Sequence, residues 1–188
     1  TQEDGWIAAM DLMEQAFGGV DILVNNAGFY VPDIAFEDMS IDLWRRHFAV
    51  NADGCFLGCK HAILRMKGHG GGAIVNIGSG MSITANPLGA AYCGSKAAVL
   101  MTTRTAAASA GRYNIRVNAV LPGAVNTVML MGNTGASDDP AAYLHQMAAY
   151  SPMNRLATPE DIAHGVLMMS DPASNAITGV FLPVDCGN

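Results

Sequence analysis

Tyr92 and Lys96 stand four residues apart in Ala90-Ala91-Tyr92-Cys93-Gly94-Ser95-Lys96, within a stretch that reads as helix. Residues at that spacing lie on one helical face, one turn from each other. A phenol beside an ammonium is suited to moving a proton. Tyrosine alone titrates near pH ~10 and lysine near ~10.4. A fixed cation nearby favours the phenolate and is expected to draw Tyr92 down towards neutrality. Tyr-x-x-x-Lys arises often by chance in amphipathic helices, so its surroundings must decide what it means.

Those surroundings are strands and loops of a particular kind. Ser79, thirteen residues before Tyr92, ends the apolar run Gly72-Ala73-Ile74-Val75-Asn76-Ile77-Gly78, the pattern of a buried strand entering a loop. Two further runs, Val20 to Gly28 and Ile115 to Gly123, also close in small or polar residues. Functional groups in open parallel sheets gather at such carboxyl ends. The spacing predicts helices over Asp4 to Phe17, over Ile41 to Met66 with a bend near Asn51, over Tyr92 to Ala110, and from a Thr158 cap to Ser170. Strands are predicted at Asp21 to Asn25, Ala73 to Ile77, Ile115 to Leu121 and Val180 to Val184, with short helical pieces in Asn126 to Tyr150. Alternating strands and helices imply an α/β domain, a parallel sheet with helices on both faces.

Together these blocks resemble the short-chain dehydrogenase/reductase family, the branch with a YxxxK active site. Asn25-Asn26-Ala27-Gly28, Asn51, Ser79, Tyr92-x-x-x-Lys96 and Pro122-Gly123 stand in that family's order, and Pro159 to Ala163 and Val184 to Gly187 look like two more of its blocks. The resemblance covers essentially the whole chain. It implies a Rossmann-type doubly wound parallel sheet in three αβα layers, and reversible hydride transfer between NAD or NADP and a secondary alcohol or ketone. Tyr92 would be general acid or base, Lys96 its electrostatic partner and a ligand of the nicotinamide ribose, and Ser79 the holder of the substrate oxygen. Asn51 would help to place a water relay to Lys96. Ser82 rivals Ser79, but its spacing to Tyr92 fits less well. Asn25, Ala27 and Gly28 look like the cofactor-side wall, where a missing side chain permits close approach; Asn25 also links central strands in the family. Pro122, Gly123, Val125 and Thr127 resemble the loop that meets the nicotinamide carboxamide.

The family opens with a strand and a glycine-rich turn, TGxxxGxG, that seats the cofactor pyrophosphate at a helix N-terminus. The chain instead begins Thr1-Gln2-Glu3-Asp4-Gly5-Trp6, with Thr1 as a candidate helix cap. Residues 1–188 are therefore expected to form a single, incomplete catalytic domain lacking its N-terminal strands, with 128–150 as a mobile substrate loop. Such a piece is expected to bind nicotinamide cofactor poorly. The strand at Asp21 to Val24 is apolar enough for burial on both faces, and would be a bare sheet edge without the preceding strands. NAD against NADP turns on a residue in that preceding part; NAD is favoured on family prevalence.

A formal net charge of −6 argues against nucleic acid, which calls for a basic patch. No apolar run approaches the roughly 18 to 20 residues of a membrane span. Cys55, Cys59 and His61 could be imagined as metal ligands, but core packing accounts for them better, and no metal is expected. Four reduced thiols suit a cytoplasmic protein, and Cys186 stands where the family usually has Gly. The substrate segments, Ser79 to Leu88 and Val128 to Tyr150, are apolar through Met81, Ile83, Leu88, Met129, Leu130, Met131 and Tyr143. A hydrophobic or alicyclic small-molecule alcohol or ketone fits them better than an anionic one. The alternatives are a 3-oxoacyl-carrier-protein reductase of fatty-acid synthesis, and a catalytically idle module for binding or oligomerisation. The resemblance also implies a homo-oligomer, dimer or tetramer, built on the two long central helices.

Overall fold

Runs of aliphatic and β-branched residues too short for a helix set the sheet. The computed structural model describes residues 2–133 and 139–188. Its strands are β1 (Ile22–Asn25), β2 (Gly72–Ile77), β3 (Ile115–Pro122) and β4 (Phe181–Val184), all parallel and ordered β1-β2-β3-β4. The register sets Val24 opposite Val75, Ile74 opposite Val117 and Val120 opposite Leu182. The helices are α1 (Glu3–Phe17), α2 (Ile41–Phe48), α3 (Gly54–Met66), α4 (Ala90–Ala110), α5 (Val128–Asn133), α6 (Pro140–Ala149) and α7 (Pro159–Ser170).

Side chains alternate across the sheet. Ile74, Val117 and Leu121 face α3 and α4, with α1 beyond them through Met10. Val75 and Val120 face α7 through Met169 and Val166. Both faces are thus covered, in the expected three-layer α/β arrangement. Ile74, Val75, Val117 and Val120 have no exposed surface, and burying such a side chain stabilises by about 1.5–3 kcal/mol.

β1 lies at an edge of the sheet. It pairs with β2 alone among the described residues, and Ile22 and Val24 are 52% and 39% exposed. No described element packs over that side, so the apolar pattern stays open to solvent. The Thr1 cap lies outside the described residues; Gln2 occupies the cap position of α1 without a side-chain bond. Ser40 caps α2 by accepting from Leu43 N at 3.2 Å. The bend expected near Asn51 is a five-residue π turn, Ala49–Asp53, between α2 and α3. Such turns occur often at functional sites. Thr158 and Asp161 close a capping box at the start of α7.

Candidate active site

The carboxyl ends of β2 and β3 and the start of α4 meet at one place. Ser79 follows β2 by two residues, and its Oγ accepts from Met81 N at 3.2 Å while its own N–H donates to Ser82 Oγ at 3.0 Å. Ser79 and Ser82 thus close the capping box of this turn, and the Ser79 hydroxyl stands near enough to Tyr92 to favour its phenolate. Gly80 brings the same turn against the Pro122 carbonyl. One turn along α4, Lys96 is 3% exposed and its Nζ donates to Ile77 O at 2.7 Å.

The electrostatics differ from the expectation of a lowered tyrosine. Burial raises Tyr92 above its ordinary value of 10, and the neighbouring Ser79 hydroxyl opposes this only in part. Lys96 is itself drawn down to about 8 by burial. Its ammonium lies 5.9 Å from the Tyr92 ring centre and turns its hydrogen bond on Ile77. Loss of water outweighs the cation here, because desolvation disfavours the charged form of both groups.

Asn51 is 2% exposed on the π turn. Its Oδ1 accepts from Phe29 N at 2.8 Å, and its Nδ2 donates to Phe29 O and to Ser95 Oγ, each at 2.9 Å. Both amide hydrogens are thus committed to the loop after β1 and to α4. Ser95 Oγ in turn donates to Tyr92 O at 2.9 Å. Gly28 lies in this corner: a methyl group added there would sit 3.6 Å from Lys96 Nζ and 3.9 Å from Asn51 Oδ1. Ala27 is exposed in the same loop.

The remaining expected site residues make contacts of their own. Asn25 turns inward: its Nδ2 donates to Asn76 Oδ1 at 2.8 Å, and Asn76 Nδ2 donates to Thr103 Oγ1 at 2.9 Å. Its amide therefore ties β1 to β2 and, through Asn76, to α4. Cys59 Sγ joins this network through Asn76 at 3.5 Å, while His61 Nε2 meets Glu3 Oε1 at 2.9 Å, so the thiol and the imidazole serve different neighbours. Pro122 ends β3, and Gly123 packs so closely on Asp185 that a side chain there would clash. Val125 bridges to Ala157, and Thr127 Oγ1 accepts from Leu130 N at 3.4 Å at the start of α5. Asn126 to Met129, Met131, Gly132 and Pro159 line an open depression of about 870 Å³.

Three contributors were not read from the sequence. Tyr30 lays its ring on Tyr92, with centroids 4.5 Å apart at 43°. His47, wholly buried, accepts from Val31 N through Nε2 at 3.2 Å. The Ile77 carbonyl takes the Lys96 bond. A signal existed for His47, which stands four residues before Asn51 and so on the same helical side.

Lys96 Nζ carries three donors, and Ile77 O takes one of them. A buried ammonium with donors to spare, beside a glycine that leaves room, fits a ribose diol. The described residues suit the nicotinamide end of a dinucleotide in this respect.

Comparison with known proteins identifies the family. The family model described as Enoyl-(Acyl carrier protein) reductase matches residues 1–188. Cis-4-hydroxycyclohexanecarboxylate dehydrogenase of Sinomonas cyclohexanicum is 36% identical over 187 residues, covering 100% of this chain and 73% of the relative. The 2,5-dichloro-2,5-cyclohexadiene-1,4-diol dehydrogenase LinX of Sphingobium indicum is also 36% identical over 187 residues, covering 100% of this chain and 72% of its own length. The solved structure of ElxO with NADP bound superposes with a TM-score of 0.91 at 28% identity, over 98% of this chain and 73% of that one.

Proposed function

Because the chain belongs to the short-chain dehydrogenase/reductase family, an NAD(P)-dependent oxidoreductase family, we propose that Tyr92, Ser79, Lys96 and Asn51 form its proton-transfer site for a secondary alcohol or ketone. The observation that carries this reading is the approach of Ser79 to Tyr92, whose phenolate it favours, one helical turn from the buried Lys96.

The bound nicotinamide supplies the acceptor or donor of hydride; the protein supplies orientation and the proton. In oxidation the phenolate of Tyr92 takes the hydroxyl proton as the carbonyl forms, and in reduction the phenol returns it. Ser79 Oγ donates to the substrate oxygen and holds it against Tyr92. Lys96, with donors beyond the one given to Ile77 O, would hold the ribose hydroxyls of the nicotinamide nucleotide. Gly28 leaves the space beside Lys96, and Pro122, Gly123, Val125 and Thr127 form the nicotinamide side. Ala27 lies on the same wall, whereas Asn25 acts through the packing of β1 on β2. Asn51 supports the site by holding the loop after β1 and the first turns of α4.

The substrate is a hydrophobic or alicyclic alcohol or ketone. Two relatives, one named for a cyclohexane and one for a cyclohexadiene substrate, support the alicyclic class, as do Met129 and Met131 along the depression at α5. NAD and NADP both fit the residues described, with NAD favoured on family prevalence. Residues 128–150, of which 134–138 lie outside the described residues, act as the substrate loop of a single catalytic domain. Exposed Phe56 and Leu64 on α3 and Met101 on α4 suit a homo-oligomer packed through these helices. No described helix is long and apolar enough to cross a membrane, and four free thiols suit the cytoplasm.

The test is turnover of cyclohexanols with each cofactor, alongside a 3-oxoacyl thioester. Tyr92→Phe is expected to lower kcat by at least about 100-fold while leaving cofactor affinity nearly unchanged. Appreciable residual turnover would overturn the assigned role, and preference for the thioester would overturn the substrate class.

A further inference from the structure

We propose that Tyr30 is a positioning residue for Tyr92, its ring fixing the orientation and hydration of the phenol that moves the proton. The inference rests on the preceding assignment of Tyr92. The two rings lie 4.5 Å apart at 43°, a favourable aromatic arrangement.

The loop carrying Tyr30 is held on both sides of that residue. Phe29 exchanges two hydrogen bonds with the Asn51 amide, at 2.8 and 2.9 Å. Val31 N donates to His47 Nε2 at 3.2 Å. An N–H can only donate, so Nε2 accepts, and the other ring nitrogen, Nδ1, bears the hydrogen for Leu43 O at 2.9 Å. Further along, Ile34 N donates to Leu88 O at 3.2 Å and Ile34 bridges to Gly89, immediately before α4. The Phe29 ring is itself packed between His47 at 4.8 Å and the Arg46 guanidinium at 4.4 Å. Three elements, the end of α2, the π turn and the approach to α4, therefore hold Tyr30 over Tyr92. Asn51 thereby acts on Tyr92 by two routes: through Ser95 to the Tyr92 carbonyl, and through Phe29 to the ring that covers it.

Tyr30 does not compete for the proton. Burial, with the charge of Asp33 behind it, pushes it up to about 12. The groups facing Tyr92 are Ser79, Cys93, Lys96 and Tyr30, and those facing Tyr30 are Asp33, Tyr143, Cys93 and Tyr92. Burial is the main influence raising Tyr92, and the Tyr30 ring is part of that cover. Its removal admits water and lowers the pH at which the phenolate forms.

The experiment is the pH dependence of kcat for cyclohexanol oxidation in wild type, Tyr30→Ala, Tyr30→Phe and Tyr92→Phe, with cofactor affinity followed by fluorescence. Tyr30→Ala is expected to lower kcat by about tenfold or more and to move the rising limb down by about half a pH unit or more. Cofactor affinity should stay within about twofold, and Tyr30→Phe, which keeps the ring, should restore the profile. If Tyr30→Ala does not fold, Tyr30→Leu carries the same comparison. An unshifted profile with wild-type kcat in Tyr30→Ala, or equal impairment of Tyr30→Phe, overturns the proposal. Turnover by Tyr92→Phe would instead defeat the underlying assignment; a dead Tyr92→Phe beside an unaltered Tyr30→Ala would defeat the role of Tyr30 alone.

Discussion

Lys96 should make the protein less stable at neutral pH than at high pH, and replacing it with Met should remove that dependence. The ammonium is 3% exposed and has one protein acceptor, Ile77 O at 2.7 Å, among the described residues. Burial draws it from an ordinary 10.5 to about 8. At about 1.36 kcal/mol for each pH unit, that gap is worth about 3 kcal/mol. Between pH 8 and 10.5 the unfolded chain holds a proton on Lys96 that the native protein has released. Native stability from this residue therefore rises with pH through that window, and is lost as pH falls back to about 8. Met fills a similar volume without a charge, although it gives up the bond to Ile77 O, worth about 1–3 kcal/mol in a buried setting. That loss is common to both ends of the window, so the pH-dependent difference isolates the charge. The assay is urea unfolding of wild type and Lys96→Met at pH 7 and pH 10.5, both without cofactor. The stability of Lys96→Met relative to wild type should be greater at pH 7 than at pH 10.5 by about 3 kcal/mol. An equal difference at the two pH values would refute the reasoning, because it would mean that the ammonium is solvated in the native state. The variant should also lose turnover, so that a gain in stability at pH 7 accompanies a loss of activity.

Two other substitutions test the surrounding structure. Gly58→Ala should destabilise by about 1–3 kcal/mol, because the added methyl falls on the Asn25 amide that holds Asn76. On an open helix the same change stabilises by up to about 1 kcal/mol, so a raised Tm would contradict the packing described. Cys186 sits at φ +60, in the left-handed region that is unfavourable by ~1–2 kcal/mol for a residue with a side chain. Cys186→Gly should relieve this, less the extra unfolded freedom of Gly, for a net gain of about 0.5–1 kcal/mol. A lower urea midpoint would count against it.

Much of the fold and part of the site follow from local pattern. The runs around Ile74 and Val117 could only be buried strands, and the Thr158 box and the Tyr92 helix need nothing beyond neighbouring residues to form. The approach of Ser79 to Tyr92 is legible too, because a strand end and the following helix are close in the chain. Tertiary structure decided the rest. The expected fall in the Tyr92 pKa becomes a rise, since burial by distant elements opposes the charge that a neighbouring cation would favour. Asn25 ties β1 to β2 through the Asn76 network because Gly58 leaves room for its amide. Tyr30 reaches Tyr92 only because Asn51 and His47, one turn apart on a distorted helix, hold its loop. By itself the sequence determined which groups stand one helical turn or one loop apart, because those distances are set by covalent geometry and local hydrogen bonding. Hydration and long-range contact were left to the tertiary fold, since both depend on what the rest of the chain packs against a residue.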